Sequence, residues 1–236
     1  MSISIKKGSY WSFIPARSGS KSIKNKNIRL INKEPLIAYS ILIANKIKCE
    51  KVVFSSDSNK YLKMAQHFNK NMILHHRSKF SSSDTATDLD VFKEFCNFYI
   101  SNNNYLPEFF IHLRPTTPFR EIKVIKQSLS LFEKHKSYCT SLRSVYQMSN
   151  PSYKTFTIKR KYLCSLYGND FNLDKYNIPK ENFKNTYLPN GYIDIIKTKN
   201  ILKNIFHGNK VLPFLINKYA IDIDNKIDFL EAKKFL

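Results

Sequence analysis

Short apolar runs alternate with segments of helical period along most of this chain, and that alternation narrows the fold more than any other feature. Tyr10 to Ile14 (YWSFI) predicts a buried strand, and Pro35 to Ile47 sets apolar residues at helical spacing. Lys51 to Ser55 predicts a second strand, Asn59 to Phe68 a short helix and Met72 to Leu74 a third, short strand. Asp84 to Tyr99 predicts a helix capped by Ser83 or Asp84. Glu108 to Leu113 then predicts a strand, Ile122 to Lys134 a helix and Tyr138 to Val145 a strand. Gly191 to Ile196, Lys210 to Leu215 and Ala220 to Ile223 predict three more strands, and a terminal helix follows from Lys226. Alternation of this kind means βαβ units: an α/β fold with a mostly parallel central sheet and helices on both faces. Chemistry in such folds lies beyond the carboxyl ends of the strands.

Residues 146–188 break the rhythm. They are polar, aromatic and irregular, and the alternation from Tyr153 to Lys159 predicts a hairpin or an extended arm. The reading is one domain over residues 1–236 with 146–188 as an arm within it. No apolar run approaches the ~20 residues that span a membrane. MSISIKKGSY lacks the apolar core of a secretion signal, so a cytoplasmic protein is expected. The 4 cysteines form no C-x-x-C pair and predict buried thiols in a reducing compartment. Net charge is +21, carried mostly by lysine spread along the chain. Nucleic-acid binders more often cluster such charge into a stripe with arginine prominent. A field of this sign nonetheless draws anionic ligands.

Several of the predicted strands end in loops rich in charge or hydroxyls. Residues 15–27 carry Arg17, Lys21, Lys24 and Lys26 among Ser18, Gly19 and Ser20. Small residues let backbone N–H groups approach an anion, and the cations add charge-assisted contacts. The loop reads as a polyphosphate cradle or as a solvated basic loop. It has neither a Walker A pattern nor G-x-G-x-x-G. Alternation in Ile221-Asp222-Ile223-Asp224 sets both carboxylates on one side, where Mg²⁺ would relieve their repulsion beside phosphates; two surface acids are the plainer reading. Arg77 is followed by Asp84-Thr85-Ala86-Thr87-Asp88, which can cap a helix or read a base edge. Arg114-Pro115-Thr116-Thr117-Pro118-Phe119-Arg120 is a proline-fixed loop with two hydroxyls and two arginines, and Asn190-Gly191 marks a turn or close approach. No histidine spacing suggests zinc, and no Ser-His-Asp set stands out.

Taken in order, these stretches resemble the acylneuraminate cytidylyltransferase family. IPARSGSKSIKNKNI is similar to its IPAR-x-x-SK-x-x-x-x-KN signature, VVFSSDS to V-x-x-STDS, and RSKFSSSDTATD to its R-P…D-T-A segment. HLRPTTPFR resembles LLQPTSPLR, YLPNGYIDI resembles F-R-x-NG-A-I-Y-I, and IDIDNKIDFLEAKKFL resembles the closing IDID-x-x-x-D stretch. The resemblance implies a Rossmann-like nucleotidyltransferase fold. It implies CTP and a nine-carbon 2-keto sugar acid as substrates, a CMP-sugar and pyrophosphate as products, and Mg²⁺. It also implies a homodimer in which an arm of each subunit reaches over the partner's site.

By that resemblance Arg17, Ser20, Lys21 and Lys26 fall on the triphosphate loop, and Asn27 and Arg77 on nucleotide-contacting positions. Ala86 and Asp88 lie near the cytosine, and Asp222 and Asp224 are the metal-binding acids. Arg17, Lys21, Asp222 and Asp224 carry the catalysis, with Arg17 and Lys21 on the pyrophosphate side. Arg114, Thr116, Thr117, Arg120, Lys180, Asn190 and Gly191 fall on the sugar side, where Arg114, Arg120 or Lys180 would pair with the acid's carboxylate. The chain departs from the family pattern at Arg114 for Gln, Thr117 for Ser, Leu188 for Arg and Ser78 for Pro. These departures cluster on the sugar side and leave legionaminic, pseudaminic and amino-substituted eight-carbon acids open. The octulosonate cytidylyltransferases are a weaker match, because Ser20-Lys21 and Lys26-Asn27 replace their loop pattern. A basic nucleic-acid-binding protein is the competing class outside enzymes.

Overall fold

The computed structural model describes residues 4–102, 105–217 and 220–235. In chain order the elements are β1 (Ser4–Pro15), β2 (Leu30–Ile31), β3 (Glu34–Pro35), α1 (Leu36–Lys46), β4 (Lys51–Ser56), α2 (Asn59–Gln66) and β5 (Ile73–His76). Next come α3 (Asp88–Asn102), β6 (Tyr105–His112), α4 (Ile122–His135), β7 (Ser141–Gln147), β8 (Phe156–Lys159) and β9 (Tyr162–Ser165). The chain closes with β10 (Tyr187–Lys197), α5 (Thr198–Ile201), β11 (Val211–Leu215) and α6 (Lys226–Lys234). Among the described residues no helix is long and apolar enough to cross a membrane. The chain divides into two compact units. The first holds the residues up to Ser144, Asn190–Phe214 and those from Ala220 onward; the second holds Val145–Pro189 and the stretch from Leu215.

The first unit is built on a seven-stranded sheet of order β11-β7-β10-β6-β1-β4-β5. β1 pairs in parallel with β4 and β6, and β4 with β5, whereas β10 runs antiparallel to β6 with Asp194 opposite His112. Parallel strands covered on both faces read as unbroken apolar runs; Val52, Val53 and Phe54 of β4 are all buried. From β1 the chain moves outward through β4 to β5, then returns through α3 to β6 on the other side of β1. The carboxyl ends of β1 and β6 therefore part at a topological switch point, where open α/β sheets bind ligands.

Two apolar clusters hold this frame. Trp11, Phe13, Val53 and Phe110 of the sheet pack with Phe92, Phe95 and Tyr99 of α3. Phe13 stacks on Phe92 with ring centroids 4.0 Å apart. The second cluster joins Ile23, Ile31, Leu36, Ile221, Ile223 and Phe229. It fastens the 220–223 segment to the end of the 15–27 loop, and so places the two acids of that segment.

Several elements differ from the sequence reading. Ala220 to Ile223 is not a sheet strand: its recorded backbone bond is Ile223 N–H to Thr116 O at 2.8 Å. Burial of Ile221 and Ile223, rather than strand pairing, produces its alternation. α3 starts at Asp88 rather than Asp84, because Thr87 and Asp90 form the cap: Asp90 Oδ2 accepts from Thr87 N–H (2.8 Å) and Thr87 Oγ1 (2.7 Å). β2 and β3 form a small hairpin absent from the sequence reading. Its turn places Asn32 and Lys33 at φ 45° and 71°, and lysine is an uncommon occupant of such a position.

In the second unit β8 and β9 form an antiparallel hairpin, and Tyr153 packs on Tyr167 and Phe183. Much apolar surface there is exposed, including Ile158, Tyr162, Leu166 and Tyr167.

Candidate active site

A cavity of about 490 Å³ in the first unit lies at the switch point, lined from one side by Pro15, Arg17, Ser20, Lys21, Lys26 and Asn27 and from the other by Arg114, Pro115 and Thr116. Arg77, Asp84, Ala86, Asp88 and Asp224 complete the wall discussed below. Eleven of the seventeen residues assigned to a site from sequence are thus brought together.

The basic loop is held by anchors rather than by regular structure. Ala16 N–H donates to Ser55 O at 2.8 Å. Ser18 donates its N–H and its hydroxyl to the two carboxylate oxygens of Asp57, each at 2.7 Å. Asn27 Nδ2 donates to Arg17 O at 2.9 Å. Asp57 stands in the turn directly after β4, and the sequence reading assigned it no role. Its signal was a carboxylate at the carboxyl end of a predicted strand.

The cations differ in their freedom. Lys26 is buried, and its Nζ donates to Ile223 O at 2.6 Å and lies 3.5 Å from Asp224 Oδ1. Arg77 is also buried: Nε donates to Ser55 Oγ at 2.9 Å, while Nη2 has no partner among the described residues. Burial lowers its pKa to about 10. Asn27 Oδ1 is likewise buried and unpartnered. Two unmatched polar atoms, a donor and an acceptor, thus belong to residues of the cavity wall, the condition expected where a polar ligand completes the bonding. Arg17 and Lys21 are more exposed and share Asp84: Arg17 Nη1 lies 3.0 Å from Oδ1 and Lys21 Nζ 2.5 Å from Oδ2.

Behind the cavity lies a charged network that the sequence reading missed. Arg114 donates to Asp194 at 2.7 Å and to Asp88 at 2.8 Å. Asp194 also has Arg143 Nε at 3.7 Å and the buried His112 Nδ1 at 3.9 Å. Burial lowers the His112 pKa to about 3 and keeps its ring neutral.

The sugar-side assignments are corrected in part. Arg114 reaches the cavity with its charge already matched by two carboxylates. Arg120 is buried, does not line the cavity, and has its donors taken up by the protein's own groups. It donates to the backbone oxygens of Tyr192 (2.5 Å), Arg114 (2.8 Å) and Gly191 (3.1 Å) and to Ser40 Oγ (3.0 Å). Thr117 and Asn190 are buried outside the lining, and Asn190 Oδ1 accepts from Tyr192 N–H at 3.2 Å. Gly191 sits at φ +65°, and a Cβ there would lie 2.7 Å from Thr117 Oγ1 and 3.2 Å from Asp222 Oδ2. Lys180 belongs to the second unit, where it lines a hollow of about 380 Å³ with Glu181 and Phe183.

The two candidate metal ligands are not equivalent. Asp224 lines the cavity with its side chain 77% exposed. Asp222 stands outside the lining, its Oδ1 3.5 Å from Thr117 Oγ1. Among the described residues no group of three His, Cys, Asp or Glu could hold a metal. Two carboxylates at and beside a cation-lined cavity nevertheless suit magnesium, which takes one or two protein carboxylates and fills its shell with phosphate oxygens and water. The residues present fit the ion on those terms.

The fold and this cavity define an α/β protein with a cation-lined cavity at the switch point of its sheet. The comparisons make the class specific. The profile of a family described as cytidylyltransferase matches residues 12–188, and the chain belongs to that family. It is 31% identical over 219 residues to the N-acylneuraminate cytidylyltransferase of Escherichia coli O18:K1:H7, covering 92% of this chain but 49% of that one. The chain thus spans about half the length of that relative. It is 30% identical over 236 residues to the CMP-N,N'-diacetyllegionaminic acid synthase of Legionella pneumophila, covering 94% of each. A solved CMP:2-keto-3-deoxy-manno-octonic acid synthetase complexed with CTP superposes with a TM-score of 0.66 at 14% identity, covering 97% of this chain and 100% of the other, and shows the shared fold.

Proposed function

We propose that this protein transfers the cytidylyl group of CTP to the anomeric hydroxyl of a nonulosonic acid, a 2-keto-3-deoxy sugar acid, and releases pyrophosphate. The observation that carries this reading is the cavity at the β1/β6 switch point, which sets Arg17, Lys21 and Lys26 beside the buried, incompletely bonded Asn27 and Arg77. The names of the relatives support the cytidylyl donor and the class of acid.

In the proposed reaction the hydroxyl oxygen attacks the α-phosphorus in line, and the bond to the bridging oxygen of the β-phosphate breaks. The hydroxyl gives its proton to water and pyrophosphate leaves. Charge grows on the phosphoryl and leaving oxygens, so positioned cations supply most of the acceleration. Arg17 and Lys21, on the least confined part of the loop, take the β- and γ-phosphates. Arg77 and Asn27 supply a donor and an acceptor to the nucleoside portion. Magnesium held by Asp224, with Asp222 behind it, would supply neutralisation of phosphate charge.

We further propose that the protein is a homodimer joined through the second unit. The exposed Ile158 and Leu163, paired across the hairpin, support this, because neighbouring exposed apolar side chains commonly mark an interface. The testing assay is pyrophosphate release with CTP, Mg²⁺ and N-acetylneuraminic, legionaminic, pseudaminic or octulosonic acids. Release with one of the nonulosonic acids, with CTP and not ATP or GTP, is expected. Release with an octulosonic acid alone, or with none, would overturn the assignment. Light scattering after size exclusion tests the dimer.

A further inference from the structure

We propose that Asp84 competes with polyphosphate for the two exposed cations of the basic loop, and so sets how tightly the site holds pyrophosphate. The inference rests on the transferase reading for the identity of that polyphosphate. Its basis is the geometry around one carboxylate. One oxygen of Asp84 lies 3.0 Å from Arg17 Nη1, and the other lies 2.5 Å from Lys21 Nζ. Arg17 Nη1 also donates to Ser83 O at 3.0 Å, so the segment that carries Asp84 is itself drawn to the loop. The carboxylate therefore meets these cations as a phosphate oxygen would.

Asp84 does not act as the cap of α3, since Thr87 and Asp90 perform that task. Of the other three cations of the wall, Lys26 donates to Ile223 O, Arg114 is paired with Asp88 and Asp194, and Arg77 is buried with Nε on Ser55 Oγ. Arg17 and Lys21 are thus the pair that a leaving pyrophosphate would have to give up, and Asp84 is the group that takes them back. All three side chains are at least one-third exposed, at 35%, 76% and 47%. Exposed pairs of this kind are weak and open readily. A bound polyphosphate displaces the carboxylate, and the returning carboxylate favours release.

The test is titration of inorganic pyrophosphate into the full chain, comparing wild type with Asp84→Asn and Asp84→Ala. Both substitutions are expected to tighten binding by about threefold to tenfold, the range of two weak exposed ion pairs. In a Lys21→Ala background the gain from Asp84→Asn should shrink, because one of the two contested cations is gone. Weaker or unchanged binding in Asp84→Asn would overturn the proposal and make Asp84 a ligand of the phosphate or a bystander. An equal gain in both backgrounds would also overturn it, because the effect would then be net charge rather than competition. Pyrophosphate affinity needs neither acceptor acid nor turnover, so this outcome is separate from that of the transferase reading, which CMP-sugar formation tests.

Discussion

Replacing Lys26 by Met separates the placing of the site from its chemistry. Lys26 is buried in the loop, and its ammonium donates at 2.6 Å to the carbonyl of Ile223, nearly two hundred residues away in sequence. Methionine keeps the aliphatic stem and removes the donor. A hydrogen bond from a charged donor contributes about 1.5–3 kcal/mol, and the stranded Ile223 oxygen adds to the loss. For a chain of this length, about 2–4 °C of melting temperature accompanies each kcal/mol, so a fall of about 3–12 °C is expected. The same bond fixes the backbone beside Asp224, so turnover should fall as well, by about tenfold or more for a misplaced site. Differential scanning calorimetry and steady-state pyrophosphate release read the two effects. An unchanged melting temperature with unchanged kcat/KM would refute the argument that Lys26 ties the acid-bearing segment to the basic loop. A loss of activity alone would mean that Lys26 serves the nucleotide only.

Lys21→Ala and Asp224→Asn act at side chains 76% and 77% exposed, so both should leave the melting temperature unchanged while lowering kcat/KM. A fall on the order of 10²–10³-fold is expected for the lost electrostatic group in Lys21→Ala, and a fully active Asp224→Asn enzyme would sink the metal assignment. Arg120→Met strands three carbonyl oxygens and should cost about 3 kcal/mol or more, seen as a lowered denaturant midpoint, with little change in KM for the acid in whatever fraction folds. Gly191→Ala forces a β-carbon into Thr117 at a positive φ and should destabilise by about 1–2 kcal/mol or more, with activity lost through the displaced Asp222. Burial lowers His75 to about 4 and His112 to about 3 in the folded chain, whereas an unfolded imidazole takes its proton near 6.5. Unfolded chains therefore bind more protons below about pH 6.5, so this stability is complete above that pH and is lost as pH falls toward 4. Denaturant midpoints that stay flat between about pH 7 and 5 would contradict the neutral buried rings.

The location of the site was legible because polar loops after buried strands have one natural address in a doubly wound sheet. The alternation Ile221-Asp222-Ile223-Asp224 was legible too, although its cause is not a strand. Ile221 and Ile223 enter a cluster with Ile23 of the basic loop, and that burial leaves the acids on the other side. What the sequence withheld was partnership across long distances in the chain. Asp57 clamps Ser18, Asp84 bridges Arg17 and Lys21, and Asp194 matches Arg114. None of these pairings leaves a local pattern, because each side chain sits in a different element and only the sheet order brings the elements together.

Arg114 and Arg120 make the point most directly, since they stand six positions apart in one proline-fixed loop and carry the same charge. Their fates part because the chain turns between them. Arg114 continues the line of β6 toward the cavity and meets the carboxylates of Asp88 at the start of α3 and Asp194 on β10. Arg120 turns back under the loop and meets three backbone oxygens and one hydroxyl, with no carboxylate in hydrogen-bond contact. Burial accordingly lowers the Arg120 pKa to about 9, whereas the two carboxylates outweigh burial and raise that of Arg114. A fully buried guanidinium that spends its donors on the protein's own backbone cannot also recognise the carboxylate of a substrate. Among the described cations of the cavity wall, the exposed Arg17 and Lys21 have the partners most readily exchanged, whereas Arg120, which the resemblance puts on the sugar side, has its donors taken up by the protein itself.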